Sequence, residues 1–329
     1  MNKTKRIASV LLTLAVFFSC FSIATIQANA KIIEKKTGDC YYTYNTSTKV
    51  MRIYGNGKMG EFEYFSGTPE ENMKKLIVEE GVTYIDGYAF DGCEKLAKVT
   101  ISSTVKKINK NRFGGESFYG NLKEITVSKN NKKYSSKGGV LFNKKKTVLY
   151  QYPPSKSTKS YKVPKSVKTI SGYAFHQSAN LKNVTMGDKV TKVGKYAFSY
   201  CWYLKTVKMS KNVKTISKSA FEGCGYLTKI TLSKNLKKIG AAAFYYCESI
   251  SGYIGLPDSV TEVGDVAFYN CTELKGVVTT NKLKKLGYHC FGYIDNRTAP
   301  LDKNYTIYGK SGSAAHKYAK KNKIKFVII

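Results

Sequence analysis

The sequence predicts an α/β repeat fold, rich in β-structure, in which 23-residue units stack as the coils of a solenoid. Three observations carry this. A small residue followed by phenylalanine recurs at Ala174-Phe175, Ala197-Phe198, Ala220-Phe221 and Ala243-Phe244, each 23 residues after the last. The series continues at Ala267-Phe268 and Cys290-Phe291, has an earlier copy at Ala89-Phe90, and a degenerate one at Arg112-Phe113. Cysteine stands three residues after five of these phenylalanines, as Cys93, Cys201, Cys224, Cys247 and Cys271, with Ser178 replacing it once. Apolar residues then return in one frame: Leu181, Val184, Met186, Val190 and Val193; Leu204, Val207, Met209, Val213 and Ile216; Leu227, Ile230, Leu232, Leu236 and Ile239.

The elements follow in chain order. Residues 1–30 place Lys3, Lys5 and Arg6 before an apolar run that ends at Ala28-Asn29-Ala30, the pattern of a secretory leader. Cleavage after Ala30 is the expectation; lipidation at Cys20 is the alternative, although Phe17-Phe18-Ser19 is a poor context for it. No later apolar run approaches the ~20 residues of a membrane span, so the mature chain is expected to be secreted or held at a cell surface. Residues 31–71 form the N-terminal cap, where 41–58 alternate around Asn45-Thr46-Ser47-Thr48 as a β-hairpin. The solenoid spans 72–300.

Within each unit Val207-x-Met209 reads as a short strand with one face inward, Val213-x-x-Ile216 as a second extended segment, and Ala220-Phe221 as the corner that closes the coil. A 23-residue unit with an L-x-x-V-x-L core lies in the leucine-rich-repeat range, where one unit cannot bury its apolar face alone. Between Phe113 and Phe175 the period fails, and an insertion at about 128–160 contains VLFNKKKTVLY, expected to be a hairpin projecting from the solenoid. Residues 301–329 form the C-terminal cap: a strand at Tyr305–Tyr308, a helix from Ala314 to about Lys321 capped by Ser313, and a strand at Ile324-x-Phe326.

Stacking places Cys201, Cys224 and Cys247 in one file, so the repeated cysteine reads as a ladder of buried thiols. Disulfides between adjacent coils are the alternative that export permits. Seven cysteines follow the leader, an odd number.

On these residues the units resemble the BspA-type leucine-rich repeats, also called the Treponema pallidum type, over about residues 72–329. The resemblance implies an exported protein that makes adhesive or other contacts with proteins and glycans, with no common catalytic residues. Only Pro164 and Pro257 keep a proline that in the family often follows the second strand position; serine or another polar residue elsewhere is expected to leave the fold untouched and to loosen that corner.

Chemistry is sparse. The three histidines are His176, His289 and His316. His289 adjoins Cys290, but sequence neighbours usually point apart. Gly309-Lys310-Ser311 resembles the end of a phosphate loop, yet Asn304 stands where its first glycine is required. No C-x-x-C or H-E-x-x-H occurs, so no metal, cofactor or catalytic residue is assigned and the chain is read as not an enzyme. A secreted glycan hydrolase with an acid pair assembled across coils, and a self-associating scaffold, are the competing readings.

The surface is strongly basic. Net charge is +33, and +30 without the leader, nearly all of it lysine. Lysines recur at outward positions of the first strand (Lys98, Lys162, Lys208 and Lys229) and of the second (Lys106, Lys168, Lys192, Lys214, Lys237 and Lys284). Rows of like charge favour an anionic partner or serve solubility. Trp202, Tyr203, Tyr226, Tyr245 and Tyr246 follow the Ala-Phe corner and are expected along one edge, for recognition or for packing between coils. The candidate binding residues are therefore Lys208, Lys214, Lys229, Lys237, Trp202, Tyr203, Tyr226, Tyr245 and Tyr246. The partners expected are a host or bacterial surface protein or glycan, or an anionic wall polymer. Scarce arginine and export disfavour nucleic acid.

Overall fold

The computed structural model describes residues 30–60, 68–90, 92–109, 120–295 and 304–329. The expected leader before Ala30 and the Arg112-Phe113 copy lie outside the described residues.

The regular coils contribute two short strands each, and most of these pair in parallel with their counterpart one repeat on; the first-strand sheet is interrupted between Lys229–Thr231 and Gly252–Gly255. The first strands Asn183–Thr185, Thr206–Lys208 and Lys229–Thr231 align Val184, Val207 and Ile230. The second strands Thr169–Ile170, Lys192–Val193, Thr215–Ile216, Lys238–Ile239, Glu262–Val263 and Lys285–Leu286 align their apolar members in one file. A strict period keeps each apolar residue over its equivalent, so the interior is built from repeated identical contacts.

The corner is a third hydrogen-bonded side of the coil. Tyr173, Tyr196, Ser219, Ala242 and Val266 adopt left-handed φ of 47–57°, and so do Gln177, Tyr200, Tyr246 and Asn270, four residues after Tyr173, Tyr196, Ala242 and Val266. These reversals aim alternate amides at the next coil: Tyr173, Phe175 and Gln177 donate to the carbonyls of Lys195, Ala197 and Ser199. Phe198, Phe221 and Phe244 donate to Ala220, Ala243 and Ala267 at 2.7–2.8 Å. The phenyl rings consequently stack, with centroids 4.6, 4.9, 5.3, 4.9 and 5.5 Å apart from Phe175 to Phe291.

The cysteines complete the corner. The Cys201, Cys224, Cys247 and Cys271 thiols donate to the carbonyls of Phe175, Phe198, Phe221 and Phe244 in the preceding coil, at 2.8–3.2 Å. The seven cysteines among the described residues are buried thiols that form no disulfide. The ladder of thiols is what the structure holds, and it is a ladder of hydrogen-bond donors as well as of filling.

Two expectations need correction. The hairpin in the insertion exists, Val140–Asn143 running antiparallel to Val148–Gln151, but it does not project. Its last strand pairs in parallel with Thr169–Ile170, inside the second-strand sheet. Tyr152 then occupies the corner position 23 residues before Phe175: its amide donates to the Ala174 carbonyl and its ring stacks on Phe175 at 5.1 Å. A coil was therefore hidden in the irregular stretch. Leu141 packs into the core of residues 40–141, while Val140 and Phe142 join the core of residues 140–324, so this strand is the partition between two apolar clusters.

Serine also does not loosen the proline corner. Ser210 and Ser233 are buried, and their hydroxyls donate to the carbonyls of Asp188 and Lys211, each bond reinforced by the Asn212 or Asn235 amide.

At the front, Ile32–Thr37, Cys40–Asn45 and Val50–Gly55 form an antiparallel meander, and Val50–Gly55 pairs in parallel with Lys75–Val78. The expected hairpin is thus joined by a strand that periodicity did not place. At the back, Thr306–Gly309 and Lys325–Ile328 extend the first-strand sheet around a helix, Ala314–Asn322, whose N-cap Ser313 accepts from the His316 amide.

Candidate binding surface

Two of the four candidate lysines, Lys208 and Lys229, lie in first strands, whereas Lys214 and Lys237 fall just before second strands. Lys208 and Lys229 lie on adjacent first strands but in different rows, because Thr206 pairs with Lys229 and Lys208 with Thr231. One row reads Lys162, Thr185, Lys208, Thr231. Threonine thus separates successive ammoniums by two strand spacings, about 10 Å, which is roughly the screening length at moderate salt. The other row is a polar ladder: Thr206 Oγ1 donates to Asn183 Oδ1 at 2.7 Å, and Asn183 Nδ2 to Ser160 Oγ at 3.1 Å. Lys214 and Lys237 are direct neighbours beside the second-strand sheet, where the Lys237 amide donates to the Lys214 carbonyl. The next residue, Lys238, is neutralised by Glu262 at 2.7 Å.

A basic row that the candidate set omitted runs across the entry to the first strands. Lys159, Lys182 and Lys205 occupy successive coils, joined by amide-to-carbonyl bonds of 2.7 Å, with no threonine between them. Their 23-residue spacing was the available signal; they were missed because they precede the strand rather than lie in it.

The aromatic residues form two groups rather than one edge. Trp202, Tyr203 and Tyr226 are 43, 52 and 47% exposed on the loop between corner and first strand. Tyr203 and Tyr226 stack at 5.7 Å, and Trp202 meets Tyr226 edge-on at 6.2 Å. Gly225 makes this possible, since a Cβ there would lie 3.2 Å from the Trp202 ring. Tyr245 and Tyr246 belong to the corner itself. Tyr245 stacks on Tyr269 at 5.4 Å, and Tyr246 hydrogen-bonds Asp295, so these two are only half exposed and serve packing between coils.

The buried nucleophiles are chemically quiet. Desolvation pushes the thiols of Cys201 and Cys290 up to about 12, and those of Cys224 and Cys271 well above the ordinary range. His289 is sandwiched between Tyr288 and Tyr293 at 3.6 Å each. Gly309-Lys310-Ser311 leads into the cap helix, as its sequence context implied. Among the described residues no group of three or more His, Cys, Asp or Glu side chains is placed to hold a metal.

Comparison with known proteins agrees with this architecture. The family model described as the BspA type leucine rich repeat region matches residues 60–144, 149–254 and 239–324. No curated protein matches the chain. Among solved structures, the chain is similar to the pneumococcal vaccine antigen PcpA (23% identity, TM-score 0.65, covering 83% of this chain and 65% of that one). A leucine-rich repeat protein from Bacteroides ovatus is 20% identical with TM-score 0.54, over 91% of this chain and 75% of that one. A leucine rich cell surface protein from Faecalibacterium prausnitzii is 18% identical with TM-score 0.47, over 82% and 98%. The chain spans under two thirds of the PcpA structure, and at these identities the likeness is one of fold. With six repeat copies matched across most of its length, the chain belongs to the BspA-type leucine-rich repeat family.

Proposed function

We propose that the protein is an exported, non-enzymatic binding module that engages an anionic glycan or glycan-bearing surface through the loop and strand face containing Trp202, Tyr203, Tyr226, Lys205, Lys208 and Lys229. The observation that carries this is the aromatic cluster. Three large rings stand together, each about half exposed to solvent, with Trp202 seated over Gly225. Large exposed aromatics of this kind supply contact area with a polar tip at little entropic loss, and the adjoining ammoniums select negative charge. Retention at the cell surface by an anionic wall polymer is the same chemistry acting on a nearer partner. The leader expected over residues 1–30 and the absence, among the described residues, of a helix long and apolar enough to cross a membrane support this setting.

The test is a glycan and matrix-protein array read at about 50 and about 500 mM salt, using the native chain, Trp202→Ala/Tyr226→Ala and Lys205→Ala/Lys208→Ala. The reading requires a partner whose binding falls about tenfold or more in the aromatic variant and weakens with salt. Partners bound equally by all three chains would overturn it.

A further inference from the structure

A concave site lies at the C-terminal end of the molecule, between the last coil and the cap helix. It is a cavity of about 470 Å³. One wall is a single helical face, Ala314, Lys317, Tyr318 and Lys321, at the i, i+3, i+4, i+7 positions that share one side of a helix. The facing wall comes from the end of the second-strand sheet and the turn after it: Lys284, Leu286 and Tyr288.

Three lysines therefore surround one cavity, and among the described residues no carboxylate lines it. The neighbouring acid, Asp265, is engaged by the Tyr288 amide at 2.8 Å. All three lysines are exposed, so their mutual repulsion is modest in water, but the lining carries net positive charge and favours a negative occupant. The aromatic walls are fixed. The Tyr318 hydroxyl accepts from the Phe291 amide at 3.2 Å and donates to the Phe291 carbonyl. Tyr288, 68% exposed, has its ring laid on His289, which lies on Tyr293. A bare inorganic anion would use the lysines and leave the rings idle. A ligand with one apolar ring face and a negative substituent would use both.

We propose that this cavity binds one acidic pyranose residue of a glycan, with a ring face against Tyr288 and its carboxylate or sulfate held by Lys284, Lys317 and Lys321. The volume falls in the usual range for small-ligand sites, roughly 300–1,000 Å³. The site is separate from the aromatic loop of the proposed function and does not depend on it.

Calorimetric titration of the full exported chain tests this. The probes are a galacturonate tetrasaccharide (carboxylate only), a heparin-derived tetrasaccharide (sulfate and carboxylate) and neutral maltotetraose. A protein this basic attracts any polyanion, so the decisive comparison removes equal charge inside and outside the cavity. Lys317→Ala/Lys321→Ala is expected to weaken at least one acidic probe about tenfold or more, as loss of charged hydrogen bonds implies. Lys310→Ala/Lys320→Ala, on the same cap but not lining the cavity, is expected to change it less than about twofold. Lys284→Ala repeats the test from the opposite wall, Tyr288→Ala is expected to weaken the same probe, and Trp202→Ala is expected to leave it unchanged. The preferred probe separates carboxylate from sulfate. Equal losses in the two double variants, maltotetraose binding as tightly as the acidic sugars, or no binding by either acidic probe would overturn the proposal.

Discussion

Between Phe175 and Phe268 each coil meets a near copy of itself on both sides, whereas between Ile32 and Leu141 the coils meet a meander on one side and an inserted strand on the other. The first region repeats one set of contacts: stacked rings, a thiol on the previous coil's carbonyl, and alternate corner amides donating forward. The second is filled by unlike residues, Tyr42, Tyr44, Met51, Met59 and Met73 among them, all buried. The lesson is that repeat identity is enforced by like neighbours. A coil facing copies of itself has one solution at each position; a coil facing a cap needs only apolar volume of the right shape.

The comparison can be broken at its largest effect by Phe221→Ala. Loss of a fully buried phenyl from the file is expected to destabilise the protein by about 3–5 kcal/mol. Because stability in stacked repeats is a nearest-neighbour property, hydrogen exchange is expected to accelerate in the coils around Phe221 while the Cys40–Asn45 strand keeps its protection. Equal acceleration in both regions would mean that the partition at Leu141 does not separate them.

A pH titration distinguishes the regions next. His176 sits in the repetitive half, its Nδ1 2.7 Å from Ser199 Oγ, and burial depresses it to about 4. An unfolded histidine titrates near 6.5, so between these values the unfolded chain binds the proton and the folded one resists it. Stability is fully present above pH ~6.5 and declines as pH falls towards ~4, by on the order of 2–3 kcal/mol. His176→Gln is expected to flatten that decline, measured by denaturant melts across the range.

Smaller effects sharpen individual contacts. Cys224→Ala is expected to destabilise by about 1–2 kcal/mol, through the lost bond to the Phe198 carbonyl and the lost sulfur volume. Cys224→Ser, which keeps a donor, is expected to cost less; Ser178 in the same register is buried and satisfies its hydroxyl on the Phe175 carbonyl of its own coil, so serine is accommodated there without an unpaired donor. The smallest change goes the other way. Val266 is β-branched at φ 47°, and Val266→Gly is expected to stabilise by about 0.5–1 kcal/mol in a thermal melt.

Much of this was legible in the sequence wherever periodicity applied. The Ala-Phe and cysteine registers located the corner, and Val207 and Ile216 located the two strands. What stayed hidden has physical causes. Tyr152 escaped because tyrosine replaces phenylalanine and no alanine precedes it, although 23 residues back from Phe175 pointed there. The double role of Val140–Asn143 was unreadable because a strand buried on both faces shows no alternation. Whether Tyr245 and Tyr246 serve recognition or packing could not be told from sequence, because the forward reach of a left-handed corner leaves no trace in a pattern of apolar residues. The cavity beneath the cap helix was invisible as a site, since its walls are more than 25 residues apart and join only once the cap folds back.

The account rests on the corner being a hydrogen-bonded side of the coil rather than a loose turn. Amide exchange at Phe198, Phe221 and Phe244 tests this most directly, because each donates to an alanine carbonyl one coil on. The account predicts exchange as slow as that of Val193 and Ile216 in the adjoining strands; exchange at the rate of solvated turns would contradict it.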